Sequence, residues 1–179
     1  MSLDPFMPRV KPGDPAPDFT VDTVNVGKVT LSYLKGHKVL LIFSRYFGCP
    51  VCQLEFDELR EFLRSHPSLK VLYVNQSLPE SARKYIEGKD VNFPVIASPK
   101  VDGKYELYEL FGVGSLGPES AIKILFKGRK AQRLGKRHGP YEGIETQSPA
   151  QFLIDEDGKI ISAEYGLFDA EKLNRDLKP

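Results

Sequence analysis

The chain has 179 residues, of which 41% are hydrophobic and 27% are charged, so its length and apolar content suit one globular domain with a well-buried core. Its 25 Lys and Arg against 24 Asp and Glu give a formal net charge of +1, which excludes the strongly basic surface of a general nucleic-acid or membrane-surface binder. Two cysteines cannot form a disulfide framework, and no apolar run reaches the roughly 18 residues of a membrane span. We therefore expect a soluble protein with no nucleic-acid partner and no membrane partner.

The N-terminus carries neither the basic segment nor the long apolar segment of a secretory signal. A second methionine, Met7, follows six residues that we interpret as a cloning remnant. Residues 1–10 are expected to form a tail and residues 11–179 a single domain. The expected location is cytoplasmic, with a periplasmic or exported form as the alternative if a signal has been removed.

The first third of the chain predicts a hairpin followed by a central strand. A proline-rich lead over residues 11–19 is held extended, and short β-like runs follow at Phe19–Val24 and Lys28–Leu31, which indicates an edge hairpin. The continuous apolar run Lys38–Ser44 is typical of a central, parallel strand buried on both faces.

Alternating helix and strand patterns come next. Apolar residues at helical spacing predict an amphipathic helix from Pro50 to near His66. A strand at Leu69–Val74, a helix at Pro79–Ile86 and a strand at Val91–Ile96 follow. This βαβαβ order favours right-handed crossovers and a parallel sheet.

The next segment predicts a short helix at Tyr105–Phe111 that Gly112 closes. A strand at Ala121–Phe126 is expected to turn at Lys127-Gly128 and to pair with Lys130–Leu134.

The C-terminal part begins with a loop, because Gly135–Ser148 has no periodicity. Strands at Gln151–Asp155 and Lys159–Ala163 flank an Asp-Gly hairpin turn, and the helix Asp169–Leu177 has its first residue as N-cap.

Both cysteines lie in one motif, Cys49-Pro50-Val51-Cys52, where a predicted buried strand ends and a helix begins. Unpaired N–H groups and the positive end of the helix dipole favour a thiolate at Cys49, which we expect to be exposed to solvent. Cys52 lies one turn onward and can close a disulfide with Cys49. The pair is therefore predicted to alternate between dithiol and disulfide, with Cys49 attacking and Cys52 resolving.

Two other interpretations of the motif remain open. Two reduced cysteines can simply fill a core. They can also bind zinc together with His66 and His138, but roughly 20 Å of helix separates Cys49 from His66, which disfavours a shared metal. We predict no metal and no cofactor.

A second motif, Ser148-Pro149-Ala150 followed by Phe-Leu-Ile-Asp and an Asp-Gly turn, completes a resemblance over nearly the whole chain. Together with the opening Gly-Asp-Pro-Ala-Pro-Asp-Phe of residues 13–19 and the Phe-Gly-Cys-Pro around Cys49, it resembles the thioredoxin-like superfamily. The similar branch is the one shared by peroxiredoxins and thiol–disulfide oxidoreductases. The resemblance implies a thioredoxin-like α/β fold, with a mixed central sheet, helices on both faces and an N-terminal hairpin. It also implies a cis Pro149 beside the Cys49 sulfur.

The sequence departs from both branches at specific positions. Peroxiredoxins have a Pro and a Thr ahead of the reactive cysteine, where this chain has Ile42 and Tyr46, and Cys52 replaces the Glu of their Cys-Pro-Thr-Glu. Thioredoxins have Trp before the motif and Pro before its second cysteine, where this chain has Gly48 and Val51. The hydroxyl that holds a peroxide and the usual thioredoxin surface are therefore both missing.

Several residues around the motif have two possible roles. Arg45 either acts on the site, by lowering the pKa of Cys49 or by binding a peroxide or carboxylate, or simply faces solvent. Tyr46 and Phe47 either line a substrate groove with Ser148 and Pro149 or pack beneath the thiol. Glu55 and Asp57 either relay a proton to the buried resolving thiol or interact favourably with the helix dipole. A basic segment either forms a solvated surface or binds an anionic substrate or partner; it comprises Lys127, Arg129, Lys130, Arg133, Lys136 and Arg137.

The leading functional prediction is thiol–disulfide exchange on a protein or small-molecule disulfide or thiol, with an external electron donor. One alternative is a thiol-dependent peroxidase in which Cys49 is peroxidatic and Cys52 resolves the sulfenic acid. A further alternative is a non-enzymatic adaptor whose cysteine pair senses redox state.

Overall fold

The computed structural model describes residues 8–179. The interpretation of residues 1–6 as a cloning remnant lies outside the described residues. In chain order the elements are β1 (Thr20–Asp22), β2 (Lys28–Thr30), a 3₁₀ helix (Leu31–Leu34), β3 (Val39–Phe43), α1 (Pro50–Arg64), β4 (Lys70–Asn75), α2 (Pro79–Ile86), β5 (Val95–Ala97), β6 (Lys100–Val101), β7 (Lys104–Tyr105), α3 (Glu106–Leu110), α4 (Pro118–Arg133), β8 (Ala150–Ile154), β9 (Ile160–Glu164) and α5 (Ala170–Asp176).

A five-stranded mixed sheet in the order β5-β4-β3-β8-β9 organises the molecule. Strand β3 lies at its centre, parallel to β4 and antiparallel to β8, and all five of its residues are buried. This agrees with its continuous apolar sequence, because a strand covered on both faces has no polar side. The thioredoxin-like fold with a mixed sheet is confirmed.

Alternate residues of β3 face two separate cores. Leu40 and Ile42 pack with apolar residues of α1, α2 and α5. Leu41 and Phe43 pack on the opposite face with the β1–β2 hairpin and α3. The helices therefore cover both faces of the sheet, and α4 lies outside this arrangement, packed against α1.

Helix α1 begins seven residues after the last residue of β3, which places the cysteine motif beyond the carboxyl-terminal end of the central strand. Cys49 is its N-cap and Pro50 occupies the first helical position, where a missing N–H costs no hydrogen bond. The predicted closing of α3 at Gly112, which has a φ of +66°, and the Asp169 cap of α5 are also confirmed.

The structure corrects one predicted region. Residues 118–133 form the single helix α4, so the predicted strand, turn and partner strand between Ala121 and Leu134 are wrong. The apolar run that suggested a strand spreads around the helix, with Ile124 facing the protein and Ile122, Leu125 and Phe126 exposed. Gly128 belongs to the helix, where a Cβ would lie 3.6 Å from Val51.

Smaller differences lie at element ends. The β6–β7 hairpin and the 3₁₀ helix were not predicted, and β5 is shorter than expected. No helix within residues 8–179 is long and apolar enough to cross a membrane.

Candidate functional site

The two cysteines lie in the first turn of α1 with both thiols free. Cys49 is 1% exposed and Cys52 is 4% exposed, and both pack in a small cluster with Tyr46 and Val51. The prediction that Cys49 is exposed to solvent is therefore wrong for this conformation. The reason is a long-range contact with a loop described below.

Cys49 is placed in surroundings that stabilise its thiolate. Nη2 of Arg45 donates to Cys49 Sγ at 2.9 Å. The largest cause that lowers the pKa of Cys49 is a hydrogen bond from Cys52; burial opposes it, and the Arg45 charge adds to it, with a resulting pKa of about 5. At neutral pH this pKa favours the thiolate form of Cys49.

Cys52 is held as a neutral thiol. Burial raises its pKa well above the ordinary value, and the Cys49 thiolate raises it further, while a contact with the Ser44 side chain opposes both. A protonated Cys52 next to a Cys49 thiolate is the arrangement in which the second thiol can resolve a bond made by the first.

Arg45 and Tyr46 are both held by one residue, Glu145. Nη1 of Arg45 donates to the backbone carbonyl of Glu145, and the Tyr46 hydroxyl donates to its carboxylate. The Tyr46 oxygen also lies 3.4 Å from Nε2 of His138. The sequence analysis missed Glu145, which lies 100 residues from Arg45 in a segment without periodicity.

The segment that carries Glu145, residues 135–148, crosses over the cysteine motif, and we call it the covering loop. Its Gly139 N–H donates to the Gly48 carbonyl at 2.8 Å. A Cβ on Gly48 would lie 2.3 Å from the carbonyl oxygen of Pro140, so only glycine permits this close approach. The loop explains why Cys49 is buried at a helix N-terminus that would otherwise face solvent.

The other residues predicted for a substrate groove do not form an open one. Tyr46, Phe47, Ser148 and Pro149 are all buried, and Arg45 is half-buried. Phe47 points into the core, where its ring stacks on Tyr85 with centroids 4.2 Å apart. Groove placement is therefore wrong for Phe47.

The expected cis peptide bond at Pro149 is also wrong, because no peptide bond within residues 8–179 is cis. The preceding chain is extended: Gln147 forms a bridge with Ser115, and the Ser148 N–H donates to Gly114 O at 2.7 Å. This extended path leads directly into β8, so a trans bond continues it. Pro149 still borders a small cleft together with Ser44 and Glu55.

Glu55 is a buried carboxyl close to this cleft. Burial raises its pKa to about 7, although Lys127, at 3.6 Å, and the Phe168 N–H oppose the shift. Asp57, in contrast, is paired with Lys136 at the surface. Two residues of the predicted basic segment therefore form ion pairs with α1: Lys127 from α4 and Lys136 from the covering loop.

Nothing in the described part of the chain brings metal-ligating side chains together, since no group of three His, Cys, Asp or Glu within residues 8–179 converges. His66 stacks on Phe62 at the far end of α1, with ring centroids 4.1 Å apart, and His138 stacks on Tyr141 in the covering loop.

Comparison with known proteins identifies the family and the fold. The model of the AhpC/TSA family matches residues 12–163. Peroxiredoxin Bcp of Escherichia coli is 29% identical over 156 residues, which is 86% of this chain and 85% of that protein.

Solved structures that share the fold include the following two. A peroxiredoxin-like protein from Aquifex aeolicus has a TM-score of 0.65 at 22% identity, and the match covers 94% of this chain and 87% of that chain. The thioredoxin domain of a thiol-disulfide oxidoreductase from Bacteroides vulgatus has a TM-score of 0.56 at 18% identity, and the match covers 94% and 99% of the two chains. The chain belongs to the AhpC/TSA family and is a thioredoxin-like oxidoreductase.

Proposed function

We propose that the protein catalyses thiol–disulfide exchange through the Cys49–Cys52 pair. The Cys49 thiolate attacks one sulfur of a substrate disulfide, forms a mixed disulfide and releases the other sulfur as a thiolate that takes up a proton. Cys52 then loses its proton and attacks Cys49 Sγ, which releases the second substrate thiol. The substrate gains two electrons and two protons, the pair becomes a disulfide, and an external electron donor must reduce it again.

The observation that carries this proposal is the contrast between the two thiols. Arg45 and Cys52 stabilise a thiolate on Cys49, while burial keeps Cys52 protonated one turn away. Disulfide exchange needs a nucleophilic thiolate, a resolving thiol and access for the substrate, and the first two are present in the reduced protein.

The donors around the thiol favour disulfide exchange over peroxide reduction. A peroxide substrate needs hydrogen-bond donors aimed at its two oxygens as the O–O bond breaks. Here Nη1 of Arg45 and the Tyr46 hydroxyl both donate to Glu145, and the Cys49 N–H donates to Tyr46 O at 3.0 Å. The Tyr46 hydroxyl and the Cys49 N–H each have a single hydrogen and would have to leave these partners to donate to a peroxide.

A thiol-dependent peroxidase is the second candidate, and the burial of Cys49 favours it. A hydroperoxide is small enough to reach a thiol that the covering loop closes off from a protein disulfide, and relatives such as Bcp are named peroxiredoxins. In this reaction the Cys49 thiolate takes the distal peroxide oxygen and becomes a sulfenic acid, and the alkoxide leaves as an alcohol. Cys52 then displaces water and forms the same disulfide.

The deciding experiment compares the two substrate classes on one preparation. With dithiothreitol as reductant, turnover of hydrogen peroxide and of an organic hydroperoxide is measured beside reduction of insulin disulfides. We expect insulin reduction to be the faster reaction, Cys49→Ser to abolish it and Cys52→Ser to accumulate a mixed disulfide. Efficient hydroperoxide turnover with insulin barely reduced would replace this proposal by the peroxidase.

A further inference from the structure

Helix α4 presents an apolar surface outward. Ile122, Leu125 and Phe126 are 58%, 56% and 61% exposed, and their spacing of three and four residues places them on one face of the helix. We call these three residues the α4 stripe. More than half of each of these side chains is exposed to solvent.

The inward face of the same helix touches the cysteine pair. Ile124 packs against the cluster that holds Cys49, Val51 and Cys52, and the Gly128 backbone approaches Val51. A helix with its side chains is about 10–12 Å across, so a protein bound to the α4 stripe lies within about one helix diameter of the dithiol.

The charges beside the stripe select its partner. Arg129, Lys130 and Arg133 follow it along α4, all are exposed, and none of the three forms an ion pair within residues 8–179. The Arg129 guanidinium lies 5.9 Å from the centre of the Phe126 ring. A second copy of this chain would bring like charges together, whereas acidic side chains on a partner would complement them.

The size of the stripe indicates a transient contact. Three side chains bury far less than the roughly 1,200 Å² of a standard stable interface, and weak redox encounters lie at the small end of interface sizes. An electron donor that must leave after each exchange suits such a contact.

We propose that the α4 stripe and its basic border dock the protein dithiol that reduces the Cys49–Cys52 disulfide. The partner has an apolar contact patch bordered by acidic side chains. One of its thiolates attacks the Cys49–Cys52 disulfide and its second thiol releases the mixed disulfide. Two electrons and one proton pass to this chain, which leaves Cys49 as a thiolate and Cys52 as a thiol, and the partner leaves as a disulfide. The inference rests on the dithiol–disulfide cycle of the proposed function.

The test separates docking from chemistry by using two reductants. The Cys49–Cys52 disulfide is formed with diamide and reduced either by reduced thioredoxin or by dithiothreitol, and the thiols are alkylated at timed intervals and counted by mass spectrometry. Phe126→Glu is expected to slow reduction by thioredoxin at least tenfold and to leave reduction by dithiothreitol within twofold. Val26→Glu is the matched control, because Val26 is 57% exposed and lies on the β1–β2 turn.

The charge contribution has its own measurement. Added salt is expected to slow reduction of the wild-type protein by thioredoxin, and Arg129→Glu combined with Arg133→Glu is expected to remove that dependence.

Four results would overturn the docking proposal. Two are kinetic: equal rates of reduction by thioredoxin for Phe126→Glu and Val26→Glu, or reduction of the wild-type protein by dithiothreitol but not by thioredoxin. Two concern another occupant of the stripe: a wild-type dimer in sedimentation that Phe126→Glu dissociates, or wild-type binding to anionic vesicles that Phe126→Glu abolishes. Failure of diamide to form the disulfide is a different result, because it would refute the dithiol cycle itself and with it any need for a donor.

Discussion

At the scale of single residues, the acidity of Cys49 depends on two contacts to its sulfur. Cys49 Sγ accepts hydrogen bonds from Arg45 and from Cys52, and both favour its ionised form over the effect of burial. A thiolate that stays buried needs such contacts, since an unpaired thiolate in an apolar cluster would instead take up a proton.

Removing the arginine charge should make Cys49 less acidic. An opposite charge at contact distance lowers a pKa by about 1–3 units, so Arg45→Met is expected to raise the pKa of Cys49 by a shift within that range. Thiolate absorbance at 240 nm against pH measures it without requiring access to the buried sulfur. Arg129→Met, a change on an exposed arginine of α4, is the control. An unchanged Cys49 titration in Arg45→Met would contradict the assignment.

The Cys52 hydrogen bond can be tested by a pair of substitutions that differ in one donor. Cys52→Ala removes the donor and is expected to raise the pKa of Cys49, because that hydrogen bond is the largest cause of its lowering. Cys52→Ser keeps a hydroxyl donor and should raise it less. Equal titrations of Cys49 in the two variants would show that the thiol hydrogen bond has no such effect.

At the scale of elements, local sequence patterns predicted the strand and helix that carry the cysteine motif, but not helix α4 or the contacts of the covering loop. Strand β3 and helix α1 follow from a continuous apolar run and from a helical apolar period, and both place the cysteine motif at their junction. Helix α4 was missed because the nearly continuous apolar run Ala121–Phe126 resembles a strand, and three of its large residues, Ile122, Leu125 and Phe126, are exposed and do not mark a buried helical face. The contact of Glu145 with Arg45 spans 100 residues and leaves no local pattern at either end.

The covering loop should respond to a single methyl group on Gly48. Gly48→Ala places a Cβ 2.3 Å from Pro140 O and 3.1 Å from the Gly139 carbonyl carbon, so the loop must move away from the cysteine motif. We expect iodoacetamide to alkylate Cys49 at least about tenfold faster and the melting temperature to fall by a few degrees, as for a typical destabilising substitution.

The control for this change is Gly117→Ala, because a Cβ on Gly117 meets no atom within 4 Å. If Gly48→Ala leaves the alkylation rate of Cys49 at the level of Gly117→Ala, the loop does not limit access to the thiol.

At the scale of the whole molecule, the buried carboxyl and the buried thiolate give opposite dependences of stability on pH. Burial raises the pKa of Glu55 to about 7, so its contribution to folding is present below its unfolded pKa of 4.5 and is lost as pH rises through 7. Glu55→Gln should remove this loss. The variant is expected to gain free energy of unfolding relative to the wild type between pH 4 and pH 8, by at most the order of 3 kcal/mol.

Urea unfolding at both pH values measures the difference for Glu55→Gln. Lys127 keeps a partner in the variant, because Glu58 lies 2.7 Å from its Nζ, and Lys127 itself is therefore not left unpaired. Glu61→Gln is the control, since Glu61 is an exposed carboxylate on the same helix. A gain that is equal at pH 4 and pH 8 would contradict a raised pKa at Glu55.

The redox state should decide whether the thiolate contributes to stability at all. In the reduced protein the pKa of Cys49 is about 5 against an unfolded value of 9.0, so its stabilising contribution is fully present above pH 9 and is lost as pH falls through 5. The oxidised protein has no thiolate, and the entropic effect of a disulfide on the unfolded chain does not depend on pH. Cys52, whose pKa is raised, reduces the stability of the reduced protein only as pH rises above 9, so measurements stay below pH 8.5.

We therefore expect the free energy of unfolding of the reduced protein to increase relative to that of the oxidised protein from pH 5.5 to pH 8.5. Urea unfolding of both states at several pH values checks this, with Cys49→Ser and its missing thiolate as the control. A difference between the two states that stays constant across this range would show that Cys49 is not an acidic thiol in the folded protein.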